Sequence, residues 1–291
     1  MIRPALLAAA LLAGLTSATQ APARFVPITR VELFAPGLAS TAHSEIRLTL
    51  SPDGLTALWF SRDRPGGDGD YDLWIARRTA AGWGAAEPVP FNTPGRDFDP
   101  AFSADGRTVF FCSDRPGGLG GDDLYRVSFD GRDFGAPENL GPTVNSSNDE
   151  FAPMLARDDR RLLFSSDRPG GAGGHDLYVA ARGPDGFQAA RALENGLNSP
   201  AHEFDATFLG DDRTIVFARA ADFATSRVDL YLGDSAAPRT EAVRLPEPVN
   251  HAEQDTYGAM IDWSAPDRLL FSARRRPGQG MDLYSVGYRL D

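Results

Sequence analysis

Short apolar runs separated by turn residues recur along most of the chain. Runs such as Leu58-Trp59-Phe60, Val109-Phe110-Phe111 and Leu162-Leu163-Phe164 are nearly continuous rather than alternating. That pattern is typical of strands whose sheet is covered on both faces. Turn residues precede the runs and glycine-rich or polar loops follow them, and no segment shows the 3.6-residue period of an amphipathic helix. The pattern therefore predicts an all-β chain of short antiparallel strands.

An Asp-Leu-aromatic tripeptide marks an internal repeat. It occurs five times, and the spacings between copies are 51, 53, 53 and 53 residues, with the aspartates at Asp72, Asp123, Asp176, Asp229 and Asp282. A fixed period near 50 residues is the signature of a propeller or solenoid. Each unit has the pattern of four antiparallel strands. The sequence thus predicts a single β-propeller over residues 22–291, with repeats at about 41–93, 94–146, 147–199, 200–251, and 252–291 plus 25–40.

The two ends of the repeat region complement each other. The fifth unit stops after its third strand, and residues 28–40, ahead of the first unit, have the pattern of the missing fourth strand. An N-terminal strand that completes the last blade closes the ring and covers an exposed sheet edge. We therefore expect five blades in a closed ring, with an open stack of repeats as the alternative.

The repeats resemble the TolB-like, WD-related β-propeller repeats of the bacterial cell envelope. The segments that carry the resemblance are Phe164–Tyr178, which reads FSSDRPGGAGGHDLY, and Val144–Glu150, which reads VNSSNDE. The similarity recurs five times over residues 28–291. It implies a propeller fold and an exported protein, and such repeats often accompany outer-membrane-protein-A-like domains. It does not imply a particular partner.

The first 21 residues have the grammar of a signal peptide. Arg3 is followed by an 11-residue run of small and apolar residues, 5–15, with cleavage expected after Ala18 or Ala21. The run is too short to span a bilayer, although a membrane anchor is the alternative. We expect a periplasmic or secreted protein without a membrane span.

Charge and cysteine content narrow the partners. The net charge of −11 argues against nucleic acid, whose phosphates would be repelled. The single cysteine, Cys112, excludes an intramolecular disulfide or a cysteine-built zinc site, and its apolar neighbours predict a buried core residue. No cofactor is predicted.

A carboxylate stands at the expected start of the first strand in every unit. The five residues are Glu45, Asp97, Glu150, Glu203 and Asp255. Four of them follow an asparagine by five residues, and Ser40 holds that place in the first unit. By analogy with other propellers, these residues should form an acidic ring around one mouth of the central channel. Like charges in a ring repel unless something neutralises them.

Three kinds of neutraliser fit the sequence. The first is structural: backbone N–H groups and arginines, and the Asp-Arg pairs should lie on the same face, at Asp63-Arg64, Asp114-Arg115 and Asp167-Arg168. All 29 basic residues are arginine, whose planar fork suits carboxylates. The second is a basic segment of an envelope protein or peptide held at the mouth. The third is a metal ion or a small cationic ligand.

Two other groups of residues raise the question of metals. Residues 117–124, GGLGGDDL, fit a calcium-binding nonapeptide, but that motif acts in tandem every nine residues. A hairpin loop whose Asp123 accepts loop N–H groups is the plainer interpretation, with calcium as the alternative. His43, His202 and His251 lie in loops between neighbouring units and would bind zinc if they converged.

Two functional hypotheses follow. The first is a monomeric, non-catalytic scaffold that binds a protein, peptide or glycan in the cell envelope. Its site should favour units four and five, which depart most from the repeat, at residues 219–227 and 274–277. The second is a glycoside hydrolase, because five-bladed propellers also host such enzymes. Glu150 and Glu203, helped by His202, would be its acids, yet catalysis needs two carboxyls in different environments and these contexts are alike.

Overall fold

The computed structural model describes residues 23–237 and 239–291, so the predicted signal peptide lies outside the described residues. Twenty-three strands form five separate antiparallel sheets. The inner strand of each sheet contacts the inner strands of both neighbours, and the fifth contacts the first. The predicted all-β, five-bladed propeller is thereby confirmed. Within the described part of the chain, no helix is long and apolar enough to cross a membrane.

The blades follow one another in chain order. The chain begins with β1 (Phe25–Pro27) and β2 (Glu32–Leu33), which belong to blade 5. Blade 1 contains β3 (Ser44–Leu50), β4 (Thr56–Arg62), β5 (Tyr71–Thr79), β6 (Gly82–Trp83) and β7 (Glu87–Pro88). Blade 2 contains β8 (Asp97–Phe102), β9 (Thr108–Ser113), β10 (Asp123–Ser128) and β11 (Glu138–Asn139). Blade 3 contains β12 (Glu150–Leu155), β13 (Arg161–Ser166), β14 (Asp176–Gly183), β15 (Gly186–Phe187) and β16 (Arg191–Ala192). Blade 4 contains β17 (His202–Phe208), β18 (Thr214–Ala220), β19 (Asp229–Asp234) and β20 (Val243–Arg244), and blade 5 contains β21 (Thr256–Ile261), β22 (Arg268–Ala273) and β23 (Asp282–Leu290).

The N-terminal segment completes blade 5, as the sequence predicted. Phe25 lies opposite Leu290, and Leu33 lies opposite Tyr284. The outer edge is nevertheless two short strands rather than one strand over 28–40. Thr29 interrupts the pairing because its hydroxyl, and not a backbone carbonyl, accepts the N–H of Gly287 at 2.8 Å.

Every inner strand bends at the same place. The pairing of each inner strand with its neighbour shifts register at a β-bulge, and one bulge residue per blade has a positive φ between 51° and 64°: Arg47, Asp99, Ala152, Asp205 and Gly258. This left-handed conformation is uncommon outside glycine, asparagine and aspartate. Its recurrence in all five blades shows that the bulge belongs to the repeat and re-aims the strand near the axis.

The apolar second and third strands build the core between blades. Cys112 on β9 is fully buried, and burial raises the pKa of its thiol well above the usual range, which agrees with a core residue. Contacts also cross the ring: the indole N–H of Trp263 in blade 5 donates to the carbonyl of Phe102 in blade 2 at 2.9 Å. This hydrogen bond connects blade 5 to blade 2, which is not its neighbour in the ring.

Candidate functional site

Four blades share one arrangement of donors around a buried carboxylate, and it is clearest around Glu150 in blade 3. Its carboxylate accepts the backbone N–H of Ser146 at 2.7 Å and the Ser146 hydroxyl at 2.6 Å. The Ser166 hydroxyl donates at 2.7 Å, and the Arg168 guanidinium lies at 2.9 Å. The Glu150 side chain has no exposed surface. A buried carboxylate is tolerated here because several donors and one cation surround it.

Three other blades repeat this joint. Each has a buried carboxylate, a hydroxyl residue four positions earlier and an arginine: Glu45 with Thr41 and Arg64 at 3.9 Å, Asp97 with Thr93 and Arg115 at 2.6 Å, and Glu203 with Ser199 and Arg219 at 2.7 Å. Burial raises the pKa of Glu45 to about 7. These four carboxylates are fully buried, and the acidic binding ring at a channel mouth stays a prediction. The N–H groups, hydroxyls and arginines that contact them are those of the structural neutraliser, the first of the three that the sequence left open.

The arginine of each joint also stacks on aromatic rings. Its guanidinium lies over rings from the second and third strands, at 4.4 to 5.9 Å from the ring centroids, for Arg64, Arg115, Arg168, Arg219 and Arg275. Such contacts stabilise a guanidinium that has lost water. The aromatic residue of the Asp-Leu-aromatic tripeptide thus packs against the cation of the joint.

The asparagine column holds the leucine of the tripeptide. Asn145 accepts the N–H of Leu124 at 2.9 Å and donates to its carbonyl at 3.0 Å. Asn92, Asn198 and Asn250 hold Leu73, Leu177 and Leu230 in the same way, and the Ser40 hydroxyl takes this place at Leu283. The repeat signature is therefore explained by paired backbone groups.

Asp255 does not belong to the carboxylate column. The loop after Asn250 is one residue longer than in the other blades, so Thr256 takes the position of the carboxylate. Its N–H donates to the carbonyl of Val228, as the N–H of Glu150 does to Asp122. Asp255 instead accepts the N–H of Val228 at 3.1 Å and is partly exposed. The five-residue spacing from the asparagine therefore pointed to Asp255, where the structure places Thr256.

The tripeptide aspartates hold the outer loops. In blade 2, Asp123 accepts N–H groups from Leu119 at 2.6 Å and Gly120 at 3.1 Å, so the calcium-like loop uses its carboxylate internally. Asp72 and Asp176 do the same in blades 1 and 3. Where the glycine loop is missing, arginines replace the N–H groups, with Asp229 held by Arg227 and Arg244, and Asp282 by Arg276.

The aspartates of the Asp-Arg pairs have different surroundings. Asp114 accepts the N–H of Arg96 at 2.7 Å, and Asp167 accepts the N–H of Asp149 at 3.0 Å. Both therefore fix the start of their own blade's inner strand. Asp63 is exposed and has a positive φ of 54°, so it does not share this role.

Charged residues that the sequence analysis missed lie at the axis. Arg47 of blade 1 is fully buried, donates to the carbonyl of Pro153 in blade 3 at 3.2 Å and lies 3.6 Å from Asp205 in blade 4. Asp99 of blade 2 is also buried, and burial raises the pKa of Asp99 and of Asp205. The signal was available, because each is a charge within an apolar first strand. The axis is thus filled at this level by a buried cation between two acids.

A second group lies on the loop face, the end of the propeller where the inner strands begin, and combines one exposed ring with two half-buried histidines and one buried ring. This loop-face patch consists of His175, His202, Phe204 and Phe223. Phe223 comes from the blade 4 loop that replaces the glycine loop, and its ring centroid lies 4.2 Å from that of His202 and 4.8 Å from that of Phe204. The Nδ1 atoms of the two histidines are 3.0 Å apart. Burial lowers the pKa of His175, which favours the neutral ring.

The histidines do not form the zinc site considered from sequence. His202 pairs with His175, and His43 and His251 do not join them in a metal-binding group. Among residues 23–237 and 239–291, no group of three or more His, Cys, Asp or Glu is arranged to hold a metal ion.

Comparison with known proteins gives a fold. Neither the family models nor the curated proteins that were searched match the chain. Among solved structures, it is similar to an endo-arabinase from Bacteroides thetaiotaomicron, with a TM-score of 0.55 and 13% identity over 88% of this chain and 96% of that one. It is also similar to a putative TolB from Agrobacterium tumefaciens, with a TM-score of 0.52 and 14% identity over 85% and 84%. TolB from Acinetobacter baumannii gives a TM-score of 0.50 and 14% identity over 84% of this chain, which spans about half, 54%, of that chain. The protein therefore has a TolB-like β-propeller fold, here with five blades.

Proposed function

We propose that this protein is an exported, non-catalytic scaffold that binds a protein or peptide of the cell envelope at the loop-face patch. One observation carries the proposal: Phe223 is 45% exposed, although it packs on a histidine pair. It is the one aromatic among the large apolar side chains exposed in the described ranges. Exposed aromatics that rest on a rigid support are typical anchors of binding sites.

The position of the patch supports the same proposal. It lies on blade 4, where the loop sequence departs from the repeat and where Asp222 holds the N–H groups of Ala224 and Thr225 in the turn that carries Phe223. A loop released from the repeat pattern is free to carry a contact. The expected bias of the binding site towards blades 4 and 5 is consistent with this position.

The charges beside the patch indicate the chemistry of the partner. Burial lowers the pKa of His175, while the negative charges of Asp167 and Asp149 raise it, so the histidine pair lies in a field of negative charge. We therefore expect a segment with an apolar or aromatic residue next to a basic one. The net charge of −11 favours the same partner and disfavours nucleic acid. A glycan that stacks on Phe223 is the alternative ligand, and we expect the protein to act as a monomer without a cofactor.

The location follows from sequence and fold together. The signal-peptide grammar of residues 1–21 and the likeness to TolB propellers both support export to the periplasm or beyond. Export is tested by separating periplasmic and cytoplasmic fractions and identifying the N-terminus of the protein in each, by radioactive or mass labelling. Accumulation of the uncleaved chain in the cytoplasm would contradict export.

The hydrolase hypothesis receives less support from the geometry. Glu150 and Glu203 are fully buried; two serines and Arg168 enclose Glu150, and Ser199 and Arg219 enclose Glu203. A sugar would have to displace those partners before it reached either acid. Turnover of aryl arabinosides by the purified protein, absent in Glu203→Gln, would restore the hypothesis.

Site-specific crosslinking tests the binding proposal. A photo-crosslinking residue replaces Phe223, and as a matched control it replaces Leu55, an exposed apolar residue on the turn between the first and second strands of blade 1. We expect an envelope protein or peptide to crosslink at 223 and not at 55. A synthetic copy of the crosslinked segment should bind the wild type and lose affinity at least tenfold against Phe223→Ser. Equal crosslinking at both positions would refute the proposed site.

A further inference from the structure

Blade 5 contains an arginine without the partner that its equivalents have. Arg275 lies over the rings of Phe271 and Tyr284 and donates to the carbonyl of Val249, as Arg168 lies over Phe164 and Tyr178 and donates to Val144. It is therefore the fifth member of the arginine column. In the other four joints this guanidinium meets a buried carboxylate.

Two substitutions remove the partners of Arg275. Thr256 stands where Glu150 stands in blade 3, because each is the first residue of the inner strand and pairs with the same position of the second strand. That second-strand position is Ala273 in blade 5, whereas Ser166 accepts the Nε–H of Arg168 in blade 3. The Nε of Arg275 is buried and has no acceptor within the described residues.

The side chain of Thr256 is shorter than the glutamate that it replaces. A threonine side chain ends one bond beyond Cβ, whereas the glutamate carboxylate ends three bonds beyond it. No Asp or Glu among residues 23–237 and 239–291 forms an ion pair with Arg275, which is only partly covered from solvent. A guanidinium that has lost water without gaining an anion is costly.

We propose that blade 5 binds a carboxylate at Arg275, in the place that a glutamate or aspartate of the chain fills in the other blades. The guanidinium of Arg275 would be its donor, and the hydroxyl of buried Thr256, which now donates to the carbonyl of Val249 at 3.4 Å, would turn to it. Exposed His251 stands at the sequence position of Ser146 and Ser199, whose hydroxyls hold the carboxylate in their own joints. This carboxylate site is separate from the loop-face patch, and the proposal does not depend on it.

Ligand-dependent stability tests the site. The melting temperature of the wild type is measured in rising sodium acetate, with sodium chloride replaced to keep the ionic strength constant. We expect a rise of about 3 °C when acetate reaches about ten times its dissociation constant. The rise should vanish in Arg275→Met, which removes the guanidinium and its charge but leaves an unbranched apolar side chain at this position. It should also vanish in Thr256→Glu, which supplies the carboxylate from the chain.

A variant with a second copy of the blade 5 joint tests whether the joint itself, and not a general effect of acetate on stability, causes the rise in melting temperature. Glu150→Thr combined with Ser166→Ala copies the blade 5 joint into blade 3 and should acquire a second acetate response. The same rise in all variants, or none in the wild type, would overturn the proposal. N-acetylglutamate α-amide, whose one carboxylate is the glutamate side chain, distinguishes a peptide side chain from a free monocarboxylate as the ligand. Stronger stabilisation by it than by acetate would assign the site to a glutamate side chain of a peptide, and the reverse order would assign it to free monocarboxylates.

Discussion

The carboxylate–arginine joint makes a quantitative prediction that differs between two equivalent positions. In blade 3, Arg168→Met removes the guanidinium that lies 2.9 Å from buried Glu150, the only cation within 4 Å of it among the residues that the structure describes. Two unit charges about 4 Å apart interact by about 4 kcal/mol at an effective dielectric of about 20. Breaking a buried pair by removing one partner costs about 3–5 kcal/mol. We therefore expect the free energy of unfolding to fall by about 4 kcal/mol at neutral pH.

The same substitution in blade 5 should cost far less. Arg275→Met removes hydrogen bonds to the carbonyls of Pro248 and Val249 and the contact with two rings, but it strands no carboxylate. It also removes a cation whose burial lowers the pKa of the guanidinium. These contributions oppose each other, so the expected loss is about 1 kcal/mol.

Urea unfolding followed by tryptophan fluorescence measures both losses. Glu150→Gln in the Arg168→Met background removes the stranded charge and should recover about half of the lost free energy. Equal losses for Arg168→Met and Arg275→Met would refute the reasoning. So would a double variant no more stable than Arg168→Met alone, because the cost would then not come from the unpaired carboxylate.

Three further predictions concern other groups of the fold. Burial raises the pKa of Glu45 from an ordinary 4.5 to about 7, so between these pH values the folded state keeps a proton that the unfolded state has released. The contribution of this carboxyl to stability is therefore present at low pH and falls as the pH rises, and unfolding curves should show Glu45→Gln gaining about 3 kcal/mol relative to the wild type across that window. Asn145→Ala should lower the free energy of unfolding by about 2–4 kcal/mol, because a buried N–H and a buried carbonyl lose their partner, while a similar value for an exposed asparagine would contradict the clamp. Arg47→Met should cost about 3–5 kcal/mol at neutral pH, and less in acid, because Asp99 and Asp205 are then protonated; a loss independent of pH would exclude the ion cluster at the axis.

The repeat made the fold predictable. The Asp-Leu-aromatic tripeptide and the asparagine column recur because every blade needs the same backbone groups paired, as Asn145 and Leu124 show. The N-terminal closure was also predictable, since an unpaired outer edge on the last blade needs a strand. Its exact bounds were not, because Thr29 breaks the pairing through a side-chain hydrogen bond.

The site was less predictable for physical reasons. The carboxylate column was found, but its burial was not, because the sequence does not show that Ser166 and Arg168 close over Glu150. Asp255 was misplaced because a one-residue insertion in a loop leaves no mark in a weak repeat. The pairing of His175 with His202 arises from two different blades and has no local signal.

The sequence by itself determined the strand pattern, the number of blades and the residue types of each joint, because hydrophobic pattern and turn chemistry are local and repeat five times. Only the tertiary structure decided which charges are buried and which groups meet. Those outcomes depend on the closure of the ring, which brings Arg47 of blade 1 against Asp205 of blade 4 and sets Phe223 on the histidine pair. Arg275 is left without a carboxylate for another reason: a one-residue difference in the loop after Asn250 changes which side chain faces the guanidinium.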